Sequence, residues 1–415
     1  MKSKEKEYND KETLFGKVPY DWNVSNIGEI ADLRQGLQIS KKLRVDSNTL
    51  GAIPLLKITD MPQKCFSEYV KDVPEQYIAD ENDIIYTRTG QVGLVYTNLN
   101  GCVHNNCFKV IVDYNYFDKQ YIYYYLSSKN VEKYSNNVAG GSVQKDLTHG
   151  AFKTCKIAYP SLKEQKVISK ILSDLDEKIE VNNKINKNLE EMAQAIFKQW
   201  FVDFEFPNEE GKPYKSSGGE MVKSELGMIP KGWEKCTLDK VANVSAGGDK
   251  PKKFSKIACD EYTVPIYSNG IDREGLYGYT DKAKILEESV TVSARGTIGY
   301  VCLRHQPYVP IVRLISVTPN TKLVSAKYLY FLLKRTNIIG TGTTQQQLTV
   351  PDFKKTKMYV PQYEYMKKFT IIVNSWFERI NNNNIENERL EKLRDTLLPK
   401  LMSGEIRVPL ENNEN

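Results

Sequence analysis

At 415 residues the chain exceeds what one hydrophobic core usually supports, so two globular domains with connecting elements are expected. Its formal charge of +6, from 58 Lys and Arg against 52 Asp and Glu, is a mild surplus that permits nucleic-acid binding without demanding it. The seven cysteines form no CxxC pair and are odd in number, which argues against a disulfide framework, and no apolar run approaches a bilayer-spanning length; a soluble cytoplasmic protein without a membrane partner is expected.

Residues 1–18 read as a charged N-terminal extension, opening Met1-Lys2-Ser3-Lys4-Glu5-Lys6-Glu7. Residues 19–160 read as a first mixed α/β domain punctuated by Gly and Pro, with buried strands over 53–58, 83–86 and 108–112 and a short helix over 121–126. The period then changes. Over 161–206, Ile168, Leu175, Asn182, Leu189 and Ile196 recur every seven residues, with Leu172, Ile179, Asn186, Ala193 and Trp200 as companion row. These are the a and d places of a coiled-coil seam, and a helix over 163–201 would be on the order of 60 Å long. Residues 207–228, with Pro207, Gly211, Pro213 and Ser216-Ser217-Gly218-Gly219, read as a linker or exposed loop. A second domain follows over 229–361, with strands over 289–293 and 311–315 and a helix over 326–333. A second heptad run occupies 362–403, with Phe369, Trp376, Asn383, Leu390 and Leu397 beside Val373, Ile380, Asn387, Arg394 and Leu401; residues 404–415 form a tail. Asn182, Asn186, Asn383 and Asn387 stand at the same heptad places in both runs. A buried Asn costs stability unless a polar group meets it, so matched asparagines favour one register of helix on helix. The alternative is two independent amphipathic helices, each packed on its own domain.

The second half of the chain repeats the first. Pro19-Tyr20-Asp21-Trp22 returns as Pro230-Lys231-Gly232-Trp233, and Ile27, Ile30 and Gly36 return as Leu238, Val241 and Gly247. Thr89-Gly90-Gln91-Val92-Gly93 matches Arg295-Gly296-Thr297-Ile298-Gly299, and Gln144, Leu147-Thr148 and Phe152 match Gln345, Leu348-Thr349 and Phe353. A duplicated unit has pseudo-twofold symmetry available to it, which suits a partner offering two sites.

Catalytic signatures are missing. There is no GxxxxGK[ST], HExxH, GxSxG or Asn-Pro-Pro-Tyr, and His104, His149 and His305 are scattered without correspondence between the copies. The chain is therefore read as performing no bond chemistry and holding no metal. Basic and amide residues do cluster in corresponding regions: Arg34, Gln38, Lys41, Lys42, Arg44 and Lys57 in the first copy, Lys250, Lys252, Lys253 and Lys256 in the second. Lys and Arg neutralise phosphates, while Gln, Asn and Arg can read base edges. The glycine loops carrying Arg88 and Gln91, and Arg295 and Thr297, are either contact loops or tight structural turns. Ser142, Gln144 and Lys145, with Thr343, Thr344, Gln345, Gln346 and Gln347, are the better candidates for DNA contact, although each run precedes Leu-Thr and so could instead lead into a capped helix.

Three stretches carry a resemblance. Ile196-Phe197-Lys198-Gln199-Trp200-Phe201-Val202-Asp203-Phe204, Leu226-Gly227-Met228-Ile229-Pro230-Lys231-Gly232-Trp233 and Leu397-Leu398-Pro399-Lys400-Leu401-Met402-Ser403-Gly404-Glu405-Ile406-Arg407-Val408 look like the specificity subunit of type I restriction-modification systems. The likeness spans nearly the whole chain in order; Tyr20-Asp21, in place of the usual Gly-containing turn before Trp22, is a departure. The resemblance implies an α+β fold of two target-recognition domains separated by two long helices that form an antiparallel coiled coil. Each domain would read one half of a split double-stranded DNA sequence. Two methylation subunits would dock on the helices, joined by a restriction and translocation subunit. S-adenosylmethionine, ATP and magnesium would belong to those partners and none to this chain. Competing readings are a recognition subunit of another methyltransferase system, an orphan copy without a nuclease, an independent nuclease or methyltransferase, and a coiled-coil adaptor.

Overall fold

The computed structural model describes residues 12–141, 144–225, 227–340 and 346–410. It separates into two compact units, one comprising residues up to Val181 together with those from Glu386 onward, the other Asn182–Ile385. Among the described residues no helix is long and apolar enough to cross a membrane.

The first unit is built on a four-stranded antiparallel sheet in the spatial order Ala31–Gln35, Cys107–Val112, Ile84–Thr87, Val95–Tyr96. Its edge strand alternates buried Ala31 and Leu33 with exposed Asp32 and Arg34, whereas Ile84–Thr87 is buried throughout because both of its faces are covered. A second sheet runs Tyr69–Val70, Ile53–Leu56, Gly101–Val103, Ile78–Ala79, and Asn23–Asn26 pairs with Lys156–Tyr159. The helix Lys119–Ser127 starts where the Asp118 carboxylate accepts from the Tyr121 N–H at 2.9 Å. Its tyrosines bury rings and satisfy their hydroxyls: Tyr121 donates to the Ala158 carbonyl at 2.7 Å and Tyr125 to that of Lys156 at 2.8 Å.

The second unit repeats this plan. Its four-stranded sheet runs Ala242–Ala246, Ile315–Pro319, Ser289–Val292, Val301–Arg304, and a smaller one runs Leu276–Thr280, Val264–Tyr267, Val309–Pro310. Glu234–Thr237 pairs with Lys357–Val360 as Asn23–Asn26 does with Lys156–Tyr159. The helix Ala326–Arg335 occupies the place of Lys119–Ser127, and Tyr328 donates to the Tyr359 carbonyl at 2.7 Å, as Tyr121 does to Ala158.

Two helices of 40 residues, Leu162–Phe201 and Tyr363–Met402, carry the heptad runs. Every seam position named from the sequence is buried or half-buried. In the first unit Asp176 meets Arg394 at 2.6 Å and Lys178 meets Glu386 at 3.4 Å, so one helix ascends as the other descends. In the second unit Asn186 accepts from the Asn383 amide at 2.8 Å and donates to Asn384 at 2.8 Å, while Phe197 and Trp200 pack on Phe369. The segments are antiparallel in each unit. Asn182, Asn383 and Asn387 are buried and Asn186 half-buried, so the polar layer sits where the heptads put it.

Two readings need correction, and one element has no counterpart among them. The strand expected over 311–315 is instead a turn: Val312 and Arg313 have φ of 52° and 66°, and the strands lie on either side at Val309–Pro310 and Ile315–Pro319. The 207–228 segment is more than a loop, since Met221–Ser224 pairs with Gly227–Pro230 and Phe206 stacks on Tyr214 and Trp233. The helix Lys129–Val138, capped by Ser128, is the additional element; only Val131 and Ser135 of it are buried.

Beyond the second long helix, Arg407 donates to both oxygens of Asp21 at 2.8 Å and to Glu164 at 3.0 Å. Hydrogen bonding to Arg407 holds the Asp21 carboxyl below the ordinary 3.8, while burial raises that of Glu164 above 4.5 against the pull of Arg407. A lowered Asp21 contributes stability that is present above 3.8 and fades as pH falls through its folded value. A raised Glu164 contributes stability that is present below 4.5 and is lost as pH rises through its folded value. Arg407→Ala removes the lowering influence from both groups. Stability of that variant should therefore fall more steeply than wild type as pH climbs from about 4.5 toward neutrality, which denaturant titrations between about pH 4 and about pH 8 would reveal; parallel pH profiles would refute the assignment.

Candidate nucleic-acid interface

The loops singled out from the sequence come together in space. In the first domain the loop after Ile84–Thr87 is tied to the segment leading into the helix His149–Lys153 by Asp146. One carboxylate oxygen of Asp146 accepts from the Arg88 guanidinium at 2.7 Å and the other from the Thr89 hydroxyl at 2.6 Å. The Gly90 N–H donates to the Lys145 carbonyl at 3.1 Å, and the Leu147 N–H to that of Arg88 at 2.9 Å. Gln91, Gln144 and Lys145 stand exposed around this clamp, with the Lys145 ammonium on the Asn136 carbonyl at 2.9 Å. Ser142 lies outside the described residues.

The second domain repeats one of these backbone bonds with other side chains around it. The Leu348 N–H donates to the Ala294 carbonyl at 3.0 Å, the counterpart of Leu147 on Arg88, while the Arg295 guanidinium donates to the Gln347 amide oxygen at 3.0 Å. Gln346 and Thr297 are exposed; Thr343, Thr344 and Gln345 lie outside the described residues. Thr148 and Thr349 do cap the helices that follow, accepting from Ala151 and Asp352 N–H, so each run leads directly into a capped helix. Gly90 and Gly296 have φ of 84° and 68°, and a tight left-handed turn is what calls for glycine there.

The remaining candidates divide by what they touch. Arg34 is exposed on the sheet edge, 3.9 Å from Asp32, and Lys41 and Lys42 are exposed on the short turn Lys41–Leu43. Gln38 accepts from the Asn105 amide. Arg44 and Lys57 are turned toward carboxylates: Arg44 pairs with Glu68, and Lys57 lies 3.3 Å from Glu68 and 3.6 Å from Asp60. Their charge is largely balanced within the fold. Lys250 lies over the Phe254 ring at 3.9 Å and Lys256 over Tyr277 at 3.6 Å, while Lys252 and Lys253 are exposed without such a rest. A cation over an aromatic face is steadied by about 0.5–1 kcal/mol at exposed sites, which leaves its charge available while restricting its position.

Sequence reasoning missed Asp146, Arg313 and Asn269, whose side-chain amide bridges the Ala294 N–H and the Val312 carbonyl. Aligning the two copies finds Arg313 opposite Asn106, but the role of Asn269 depends on loops far apart in the chain. The histidines serve the fold: His149 meets the Phe108 ring edge-on at 5.0 Å and His305 lies 2.8 Å from Glu288, while burial lowers the pKa of His104 and of His149. Cys102 and Cys107 are buried thiols, pushed up to about 11 and about 12 by that burial, and so are inert near neutral pH.

Residues 19–191 and 230–393 each match the family model described as "Type I restriction modification DNA specificity domain". The chain belongs to this family. It is similar to the type I restriction enzyme MjaIX specificity subunit of Methanocaldococcus jannaschii, 29% identical with 96% of each chain covered. It is also similar to the HindI specificity subunit of Haemophilus influenzae, 25% identical over 93% of this chain and 100% of that one. The crystal structure of the S subunit of a type I restriction-modification system from M. genitalium shares the fold, with a TM-score of 0.58 at 17% identity over 92% of this chain and 96% of that one. The protein is thus a type I restriction-modification specificity subunit with two target-recognition domains. The paired loops at Asp146 and at Gln347 carry different side-chain partners on a backbone bond that the two domains share.

Proposed function

We propose that this specificity subunit binds double-stranded DNA in the cytoplasm, each target-recognition domain reading one half of a bipartite sequence. The antiparallel helices set the number of unspecified base pairs between the halves and receive two methylation subunits; a restriction and translocation subunit joins them. S-adenosylmethionine, ATP and magnesium are bound and used by those partners, and this chain contributes recognition. The observation that carries the reading is the recurrence of one hydrogen-bonded loop pair in both domains, built with Arg88, Thr89 and Asp146 in one and Arg295 and Gln347 in the other. A shared backbone presenting different donors and acceptors is what two different half-sites require.

Four residues added to each long helix lengthen it by about 6 Å, close to the rise of two base pairs. Sequencing of methylated adenines in a host expressing this chain with its methylation subunit should show a split motif whose gap grows in the insertion variant. Exchange of residues 19–160 should change one half alone. An unchanged gap would sink the spacer role, and no new motif at all would sink the DNA reading.

A further inference from the structure

The second domain holds a cationic depression whose matched positions in the first domain carry no cation. Asn269 follows the strand Val264–Tyr267 and staples two loops with one amide: its oxygen accepts from the Ala294 N–H at 2.8 Å and its nitrogen donates to the Val312 carbonyl at 2.7 Å. The N–H groups of Val312 and Arg313 then donate to Gly248 and Gly247 at 2.9 and 3.2 Å, tying in a third loop. Gly247 is needed for that approach, because a Cβ there would stand 2.7 Å from the Pro310 carbonyl carbon. Val312 itself is left-handed, a conformation that a β-branched residue adopts only when its surroundings impose it. The result brings Lys250, Arg295 and Arg313 around one depression of about 350 Å³, with Asp249 as the carboxylate on its lining. Among the described residues none of these three cations is in an ion pair.

The matched backbone bonds place the first domain's counterparts. Gly36 donates to Cys107 and Asn105 to Leu37, as Gly247 does to Leu314 and Val312 to Gly248. Opposite Asp249, Lys250, Arg295, Val312 and Arg313 stand Gln38, Ile39, Thr89, Asn105 and Asn106, all five uncharged, and the neighbouring Arg88 is balanced by Asp146. One domain has converging cations where the other has amides and a hydroxyl.

We propose that this depression is a DNA-contact site of the second domain, in which Lys250 and Arg313 take backbone phosphates and Arg295, steadied by Gln347, faces a base edge. Asn269 is the positioning residue that holds the three loops together. The inference rests on the DNA-binding reading above and adds an asymmetry: at these places the second domain contributes the phosphate contacts. Lysine and arginine supply the salt-dependent part of DNA affinity, and guanidinium groups read guanine edges bidentately.

The test uses the full chain assembled with its methylation subunits and a duplex carrying its own methylated motif. Arg313→Gln and Lys250→Gln should each lower the slope of log affinity against log salt by about 0.9, whereas Asn106→Gln in the first domain leaves it unchanged. Arg295→Gln should reduce discrimination roughly five- to 150-fold at a base pair in one half-site and leave the other half intact. Asn269→Ala should lower the slope as Arg313→Gln does, and the double variant should lose no more than Asn269→Ala alone, a non-additivity that plain loss of stability would not produce. Unchanged slopes in Arg313→Gln and Lys250→Gln, at wild-type thermal stability, overturn the proposal. Failure of the unmodified complex to bind that duplex would instead overturn the DNA reading itself.

Discussion

Phe197→Ala is expected to cost about 3–5 kcal/mol of unfolding free energy, the range for emptying a large aromatic from a closed core. Phe197 is 1% exposed and lies on the first long helix, where three elements of the second unit converge. Its ring centroid is 5.3 Å from Phe201, 5.5 Å from Tyr328, 5.6 Å from Phe331 and 6.0 Å from Phe369. Two of those neighbours belong to the helix Ala326–Arg335 and one to the second long helix. Ring-on-ring packing adds up to about 0.5–1.5 kcal/mol per pair beyond burial, so several pairs, one of them edge-to-face with Phe369, are lost together. Phe197→Leu should recover part of the loss, because volume rather than aromaticity fills most of the site. Denaturant unfolding of the two variants checks this; a loss under about 1 kcal/mol for Phe197→Ala would mean that the neighbouring rings close the gap.

Asn186→Leu should destabilise by about 1–3 kcal/mol, and adding Asn383→Leu should return most of that. Asn383 is 2% exposed, and its amide donates to Asn186. Removing Asn186 alone strands a buried donor in an apolar seam. Replacing both leaves two leucines at facing core positions, the swap that is often neutral or stabilising. What the double variant gives up is discrimination between registers, since leucine packs acceptably one heptad along and an amide pair does not. Unfolding midpoints of the two single variants and the double variant give the sign, and the methylated gap should become mixed in the double variant. A double variant less stable than either single one would refute this account.

The helices were legible because their signal is local: a seven-residue repeat needs no knowledge of what lies across the seam, and each a and d place is buried or half-buried. The duplication was legible for the same reason, and the matching strands and loop bonds bear it out. Two-residue strands such as Tyr69–Val70 and Ile78–Ala79 carry no pattern of their own. The turn at Val312 and Arg313 looked like a strand because its composition is β-favouring, while three surrounding loops impose the left-handed backbone. Charge was the weakest guide to the site. Arg44, Lys57 and Lys250 look alike in the sequence as basic residues of corresponding regions, yet Glu68 and Asp60 meet the first two and an aromatic ring the third. Which cation faces a carboxylate is decided by residues distant in sequence.

The division of the chain sets a timetable for its synthesis. The second unit is one unbroken run, Asn182–Ile385, whereas the first is completed only when the segment from Glu386 onward arrives. Asp176 must wait for Arg394, and Glu164 and Asp21 for Arg407. A ribosome adding about 5–20 residues each second needs on the order of 10–40 s to cross that interval. During it, the cluster that buries Ile168 and Leu172 lacks Leu401 and Met402, its contribution from the second long helix. The first domain to emerge is therefore the last to be completed, and a message cut short near Ile385 yields a protein whose later half can close while its earlier half stays open to proteases.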